Sequence, residues 1–157
     1  MDNKMTRRIY HALAALLVAG IFAALCWYYT DLTNLWYSDL VKPSFLPPDS
    51  IVIACNMALF VLMTGALFLV LENGGFHGRA LYIAGLALAL PALCAYVLFM
   101  GGNVIGAFIL SLASILIWGY AAMCFYKRNK IAGYLLIPPV LWIVFATVLS
   151  YLLFMLN

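Results

Sequence analysis

Side chains that could support catalysis or bind a metal are scarce in this chain. It contains 8 Lys and Arg residues, 5 Asp and Glu residues, 2 His residues and 4 Cys residues. His11 and His77 lie near the ends of apolar runs, without carboxylates or thiolates at ligand spacing, so we interpret both as structural or interfacial. The cysteines show no CxxC or Cys/His spacing, which favours small packing residues: Cys26, Cys55, Cys94 and Cys124. We therefore predict no metal site.

The charged side chains also avoid the apolar runs. Ionisable groups inside membrane spans usually mark ion channels, proton relays and charge-coupled transporters. Their absence from these runs argues against those classes and against a carboxylate-based enzyme. Gly74-Gly75 and Gly101-Gly102 lack the strand, helix and lysine context of a phosphate-binding loop. What remains is an apolar bundle with aromatic lining, which suits a large, flat, apolar ligand.

The elements that must position these residues are membrane helices. Hydrophobic residues make up 68% of the chain and charged residues 8%, whereas soluble domains carry about a quarter charged residues. Five apolar runs are long enough to cross a hydrocarbon core of about 30 Å as helices: 9–29, 51–71, 80–100, 104–126 and 131–156. We predict an all-α integral membrane bundle of five transmembrane helices in a single domain, 1–157. The formal net charge of +3 is too small and scattered for a nucleic-acid partner.

The basic residues predict the orientation of the bundle. Lys42 lies alone on one side, and the other side holds the remaining basic residues: Lys4, Arg7, Arg8, Arg79, Lys127, Arg128 and Lys130. The positive-inside rule then places the N-terminus in the cytoplasm if the host is a bacterium. The first run is longer than the apolar part of a signal peptide and ends in Trp27-Tyr28-Tyr29, so we interpret it as a retained span.

The first loop, residues 30–50 (the lid loop), differs from both the spans and a solvated tail. Its stretch LWYSDLVKPSFLPP mixes aromatic residues with Asp39 and Lys42. Aromatic rings beside a few charges favour a membrane interface. The Pro47-Pro48 pair restricts the backbone, so we expect a stiff connection. The sequence predicts a lid over the helical bundle.

The last run places bulky and small residues on one helical face. Trp142, Phe145, Ala146, Leu149 and Ser150 follow the spacing i, i+3, i+4, i+7, i+8. The Pro138-Pro139 pair should kink the helix just before them, and neighbouring groups must then satisfy the freed carbonyls. Ordinary helix packing, with the tryptophan as a core residue, explains the same pattern. From the residues alone, both interpretations stay open.

Two long blocks resemble the translocator protein family, TspO/MBR, also called tryptophan-rich sensory proteins. WYSDLVKPSFLPP, Trp36 to Pro48, is similar to the family's WY…L.KPSW.PP loop. AGYLLIPPVLWIVFATVLSY, Ala132 to Tyr151, is similar to its A..LL.PYL.W..FAT.L.. final helix. The spacing between the blocks and the count of five helices also agree along the full chain.

The resemblance implies a ligand pocket beneath the first loop. Its ligands would be tetrapyrroles such as protoporphyrin IX or haem, or sterol-like molecules in animal members, with no required cofactor. The expected ligand-binding residues, with Asn56 included as a polar candidate, are Trp142, Phe145, Ala146, Leu149, Phe45, Asn56, Phe99 and Ala24. The implied lid residues are Trp36, Tyr37, Lys42, Pro43, Ser44 and Pro47.

Departures from the family pattern bear on the function. Phe45 replaces the lid tryptophan, and Asn56 stands where many members have a second-helix tryptophan. The light-dependent porphyrin degradation proposed for the family relies on that tryptophan together with the one matched by Trp142, so the resemblance favours a carrier, scavenger or sensor over a porphyrin-degrading enzyme. A membrane assembly protein without a ligand is the third alternative. Asn56 either hydrogen-bonds across helices or contacts ligand.

The third span carries a pair of small residues, Gly85 and Ala89, that permits close helix approach. The pair suits a homodimer, which the resemblance also implies, or packing within one monomer. Membrane lipid is the remaining expected partner. The resemblance would place a eukaryotic protein in the outer mitochondrial membrane, whereas a bacterial one would lie in the inner membrane.

Overall fold

The computed structural model describes residues 3–73 and 77–157, without the side chains of Asn3 and His77. The glycine turn expected at Gly74-Gly75 and the interpretation of the His77 side chain lie outside the described residues. The helices are α1 (Asn3–Tyr29), α2 (Leu35–Asp39), α3 (Asp49–Glu72), α4 (His77–Ala95), α5 (Val104–Arg128), α6 (Lys130–Leu135) and α7 (Ile137–Leu156), and a π-helical turn, Tyr96–Met100, continues α4.

Five segments of the described chain are long and apolar enough to cross a membrane, which confirms the predicted fold class. They are α1, α3, α4 with its π-helical turn, α5, and the last span formed by α6 and α7. The helix of the first span begins before its apolar run, since Lys4, Arg7 and Arg8 are already helical. Lys and Arg are good helix formers and can extend their charged ends towards water, so the basic segment continues the helix.

The last span is interrupted where its proline pair predicted a kink. The regular helix breaks at Leu136, between α6 and α7, just before Pro138 and Pro139. A proline N cannot donate, and its ring clashes with the preceding turn, which explains the break. Asn129 begins the span as an N-cap, since its Oδ1 accepts from the N–H of Ile131 at 2.9 Å.

The helices form a bundle in which α1 packs between α3 and α4, and α5 packs between α4 and α7. The last span contacts α3 mainly through α6, whereas α7 makes fewer contacts with α3. The half of the bundle near Lys127, Arg128 and Lys130 is closely packed by fully buried side chains: Leu67, Leu71, Ala80, Ala84, Phe125 and Leu136. The half beneath the lid loop is more open and contains a cavity.

The basic end of the bundle is also held by polar contacts. Arg8 Nε lies 2.8 Å from Glu72 Oε2, and His11 Nδ1 lies 3.1 Å from Glu72 Oε1. These contacts join the start of α1 to the end of α3. His11 therefore has a structural contact at a helix end, and the described residues contain no cluster of three metal-ligating side chains.

Candidate functional site

A cavity of about 950 Å³, counting its open mouth, lies beneath the lid loop. The first span and the lid contribute Cys26, Thr30, Leu32, Tyr37 and Leu46; α3 contributes Val52, Asn56 and Leu59; α4 and its π-helical turn contribute Pro91, Cys94, Ala95, Leu98 and Phe99; α5 contributes Ser111 and Ser114; and α7 contributes Trp142, Ile143, Ala146, Leu149, Ser150 and Leu153. Within the described chain, this lining is mostly apolar and includes no Asp, Glu, Lys, Arg or His.

The lid loop is built around a short helix that the sequence analysis did not predict. α2 begins after Asn34, whose Oδ1 accepts from the N–H of Trp36 at 3.0 Å. The Asn34 Nδ2 also donates to the carbonyl of Phe99 at 3.3 Å, in the π-helical turn. Asn is a favoured N-cap residue, so Asn34 was the available signal for this helix. One side chain thus both starts α2 and ties it to the wall of the cavity.

Tyr37, in α2, lines the cavity at the lid loop. Its ring is buried and packs against Phe99 with ring centroids 4.9 Å apart. Lys42 Nζ lies 4.2 Å from the centroid of the Tyr37 ring, a cation–π contact. Burial raises the pKa of the Tyr37 phenol, and the charge of Asp49 raises it further. The phenol therefore stays protonated at neutral pH and can donate a hydrogen bond.

Asn157 holds the lid loop at Val41 through two hydrogen bonds. Its Oδ1 accepts from the N–H of Val41 at 2.8 Å, and its Nδ2 donates to the carbonyl of Val41 at 3.0 Å. The same Nδ2 donates to the carbonyl of Leu153, in α7, at 2.9 Å. An amide has both donors and acceptors, so this one side chain can satisfy both backbone groups of a loop residue. No pattern in the sequence indicated that Asn157 contacts the lid.

Trp142 and Asn56 meet in the wall of the cavity. Trp142 Nε1 donates to Asn56 Oδ1 at 3.0 Å, which joins α7 to α3. A second, smaller groove of about 300 Å³ lies between α3 and the proline pair of α7. Trp142 and Leu59 line both the cavity and this groove. The predicted cross-helix hydrogen bond of Asn56 is therefore present, and its partner is the tryptophan of the final-helix block.

The far wall holds a chain of small polar groups. Cys94 Sγ lies 3.5 Å from Ser111 Oγ, which lies 3.4 Å from Ser150 Oγ. These contacts join α4, α5 and α7 beneath the lid. All four cysteines are free thiols, and Cys94, which we interpreted only as a packing residue, also lines the cavity.

The structure brings together some of the expected ligand-binding residues and separates others. Those that line the cavity are Trp142, Ala146, Leu149, Asn56, Phe99 and, from the lid, Tyr37. Those that do not are Phe145, Phe45, Ala24, Trp36, Lys42, Pro43, Ser44 and Pro47. Leu46, which follows Phe45 in the lid loop, lines the cavity in its place, and the sequence analysis missed it.

Three of the expected ligand-binding residues, Ala24, Phe145 and Phe45, lie outside the cavity lining. Their positions on the helices and their exposure explain why. Ala24 is on the outer face of α1, while Cys26, which is about 200° further round at about 100° per residue, faces inwards. Phe145 lies beside the cavity and packs its ring 5.5 Å from that of Trp142. Phe45 is 53% exposed on the outside of the lid loop.

Trp36 and Gly85 both make packing contacts within the monomer. Trp36 packs against Gly102, where an added Cβ would lie 3.5 Å from the indole ring, and Gly102 has a φ of 58° that favours glycine. Gly85 faces Phe22 of α1, because a Cβ at that position would lie 4.0 Å from the ring. The pair of small residues on the third span therefore includes one that packs within the monomer. The homodimer stays a prediction.

The fold and the cavity define a class of protein: an integral membrane bundle of five helices with a mostly apolar cavity beneath a tethered loop. The model of the TspO/MBR family matches residues 12–156, and the chain belongs to this family. It is 26% identical over 127 residues to the Tryptophan-rich protein TspO of Bacillus cereus, an alignment that covers 78% of this chain and 80% of that protein. The resemblance noted in the two motif blocks is thus confirmed.

Proposed function

We propose that this protein binds flat apolar ligands, with tetrapyrroles such as protoporphyrin IX or haem as the leading class, and serves as a carrier, scavenger or sensor of them. The supporting observation is the cavity itself. It is lined by residues from all five spans and from the lid loop, and sites for small molecules commonly lie between the helices of a bundle. Its walls supply aliphatic and aromatic contacts with a few fixed polar groups, which is the composition expected of a site for an apolar ligand.

The geometry also suggests how such a ligand would be oriented. The apolar macrocycle would lie against Trp142, Phe99 and the aliphatic residues of α7. Ionised carboxylates are costly to bury without a partner, so the propionates of a tetrapyrrole would stay near the mouth. Lys42, whose Nζ lies over the ring of Tyr37 in the lid loop, would supply the positive charge. This arrangement gives Lys42 a role in binding although it does not line the cavity.

The polar side chains of the lining favour binding over turnover. Thr30, Ser111, Ser114 and Ser150 each donate to a backbone carbonyl four residues earlier, at 2.7–3.0 Å. Among the residues that the structure describes, no acid or base that could activate one of these hydroxyls lines the cavity. A binding protein requires no such group, whereas a hydrolytic enzyme does.

The distribution of basic residues supports an orientation for the binding site. The cavity lies at the lid-loop end of the bundle, and seven of the eight basic residues are at the other end. By the positive-inside rule, the end that contains the cavity would face away from the cytoplasm in a bacterial membrane. Ligand would then enter from the outer aqueous side or the outer leaflet.

Titration of the detergent-purified protein with protoporphyrin IX in the dark tests the proposal. Tryptophan fluorescence should fall to a saturating level with a micromolar Kd. Trp142→Phe should weaken binding, because the ring forms part of the cavity wall and its N–H fixes Asn56. The matched control is Trp27→Phe, since Trp27 is 62% exposed and does not line the cavity.

The outcomes separate the candidate functions. Non-saturable quenching in the wild type would reject the tetrapyrrole site, and equal weakening in the two variants would reject the assigned cavity. Illumination of the bound complex then tests for enzymatic degradation of the porphyrin. Consumption of porphyrin in the light that disappears in Trp142→Phe would replace the binding proposal with an enzyme.

A further inference from the structure

The cavity offers many hydrogen-bond acceptors but few hydrogen-bond donors. The four hydroxyls of Thr30, Ser111, Ser114 and Ser150 already donate to their own helices, and a serine or threonine hydroxyl has one proton. The indole N–H of Trp142 is committed to Asn56. The thiol of Cys94, on the same wall, contacts the carbonyl of Ala107 at 3.6 Å as well as Ser111. These groups therefore present lone pairs, but no free N–H or O–H, to a ligand.

The carboxamide of Asn56 is different because Trp142 determines which way it points. An indole N–H can only donate, so the amide oxygen must face it and the Nδ2 must face away. The Asn56 Nδ2 has no hydrogen-bond partner among the residues that the structure describes. Asn56 is seven residues after the start of α3, which places it about 10 Å below the lid at 1.5 Å per residue.

Tyr37 supplies a second uncommitted donor, at the lid. Its side chain is buried and lines the cavity, and within the described residues its hydroxyl has no hydrogen-bond partner. Because its phenol is protonated at neutral pH, it can donate to a ligand near the mouth. The cavity therefore combines a donor beside the lid with a donor deeper in the bundle, separated by apolar walls.

We propose that Asn56 is a specificity-determining residue, and that the cavity selects apolar ligands carrying a neutral carbonyl-type acceptor that accepts a hydrogen bond from Asn56 Nδ2. This inference rests on the proposed function, in that ligand must occupy the cavity. A neutral carbonyl is favoured over an ionised carboxylate at this depth, because no cation of the described chain lines the cavity and an unpaired buried charge is costly. A ligand without an acceptor leaves the amide donor unsatisfied, which lowers its affinity.

A pair of probes that differ only at the acceptor tests this selectivity. Fluorenone and fluorene have nearly the same flat shape, but only fluorenone has a carbonyl. Their affinities for the purified wild-type protein are measured by isothermal titration calorimetry, and the ratio is compared between variants, so that differences in detergent partitioning cancel. Asn56→Leu is combined with Trp142→Phe, because loss of Asn56 alone would free the indole N–H to donate to the ligand. We expect the double variant to show a preference for fluorenone about fivefold lower than that of Trp142→Phe alone, the effect of one hydrogen bond.

Two further variants keep the test decisive. Asn56→Thr should lose the same preference, since its hydroxyl would donate to the carbonyl one turn earlier, as the other cavity hydroxyls do; it replaces Asn56→Leu if that variant does not fold. Thr64→Val is the matched control in α3, because Thr64 donates to the carbonyl of Phe60 and does not line the cavity. Its ratio should equal that of the wild type.

Each outcome decides a separate claim. An unchanged ratio in a folded Asn56 variant, or no binding of either probe to the wild type, overturns the inference. If protoporphyrin IX still binds saturably in that case, the proposed function stands without it. If the ratio changes as expected but protoporphyrin IX does not bind, the donor assignment stands and the tetrapyrrole class is wrong.

Discussion

The indole N–H of Trp118, in α5, donates to the backbone carbonyl of Ala87, in α4, at 2.8 Å. In a regular helix that carbonyl would accept from the N–H four residues later, but that residue is Pro91, which has none. Trp118 and Ala87 are both fully buried. A side chain of one span therefore replaces the hydrogen bond that a proline removes from its neighbour, in a region where water does not supply one.

Trp118→Phe should destabilise the protein by about 2–4 kcal/mol, since it leaves a buried carbonyl unsatisfied and a space beside it. Thermal unfolding in detergent measures the loss. Adding Pro91→Ala to the Trp118→Phe variant should restore part of the lost stability, because the new backbone N–H can donate to the carbonyl of Ala87. A double variant as unstable as Trp118→Phe alone would show that the loss comes from packing and not from the hydrogen bond.

Gly133→Ala should lower the unfolding temperature. A Cβ at Gly133 would lie 2.7 Å from the Cα of Tyr126, so α6 could not approach the end of α5 as closely. Gly119→Ala is the matched control, because a Cβ there meets nothing within 4 Å. It should leave the unfolding temperature unchanged or slightly raised. Equal effects of the two substitutions would contradict a close approach at Gly133.

Asn157→Ala should loosen the lid loop without unfolding the bundle. The substitution removes both hydrogen bonds to Val41, and the remaining lid contacts, including Asn34 with Phe99, are unaffected. Hydrogen exchange followed by mass spectrometry should be faster in peptides that cover 35–46 and unchanged in peptides from α5. Unchanged exchange in the lid would show that Asn157 does not restrain it.

The orientation can be tested without a ligand. An alkaline phosphatase reporter fused after Asn157 in a bacterial host should be active, because that residue contacts the lid loop on the side away from the basic residues. A green fluorescent protein fused at the same place should not fluoresce after export by the general secretory route. The opposite pair of results would reverse the proposed topology.

Much of the fold could be predicted from the linear sequence. Hydropathy alone identified five spans, and the Pro138-Pro139 pair predicted the break in the last of them, which the structure places at Leu136. The WYSDLVKPSFLPP block predicted a lid loop over the bundle, although the short helix α2 inside it was not predicted. These features depend on the local composition of the chain, and the physical rules that connect composition to a membrane span act over one helix at a time.

The cavity depended on tertiary structure. In water, the polar face of a helix shows which side is outside, but in a membrane the lipid-facing side is as apolar as the packed side. Sequence periodicity therefore could not show that Cys26 faces inwards and Ala24 outwards, or that Phe145 lies beside the cavity. Nor could it reveal that Asn56 and Trp142, 86 residues apart, share a hydrogen bond. The sequence determined which segments cross the membrane, whereas the packing of the helices decided which of their equally apolar faces enclose a ligand site.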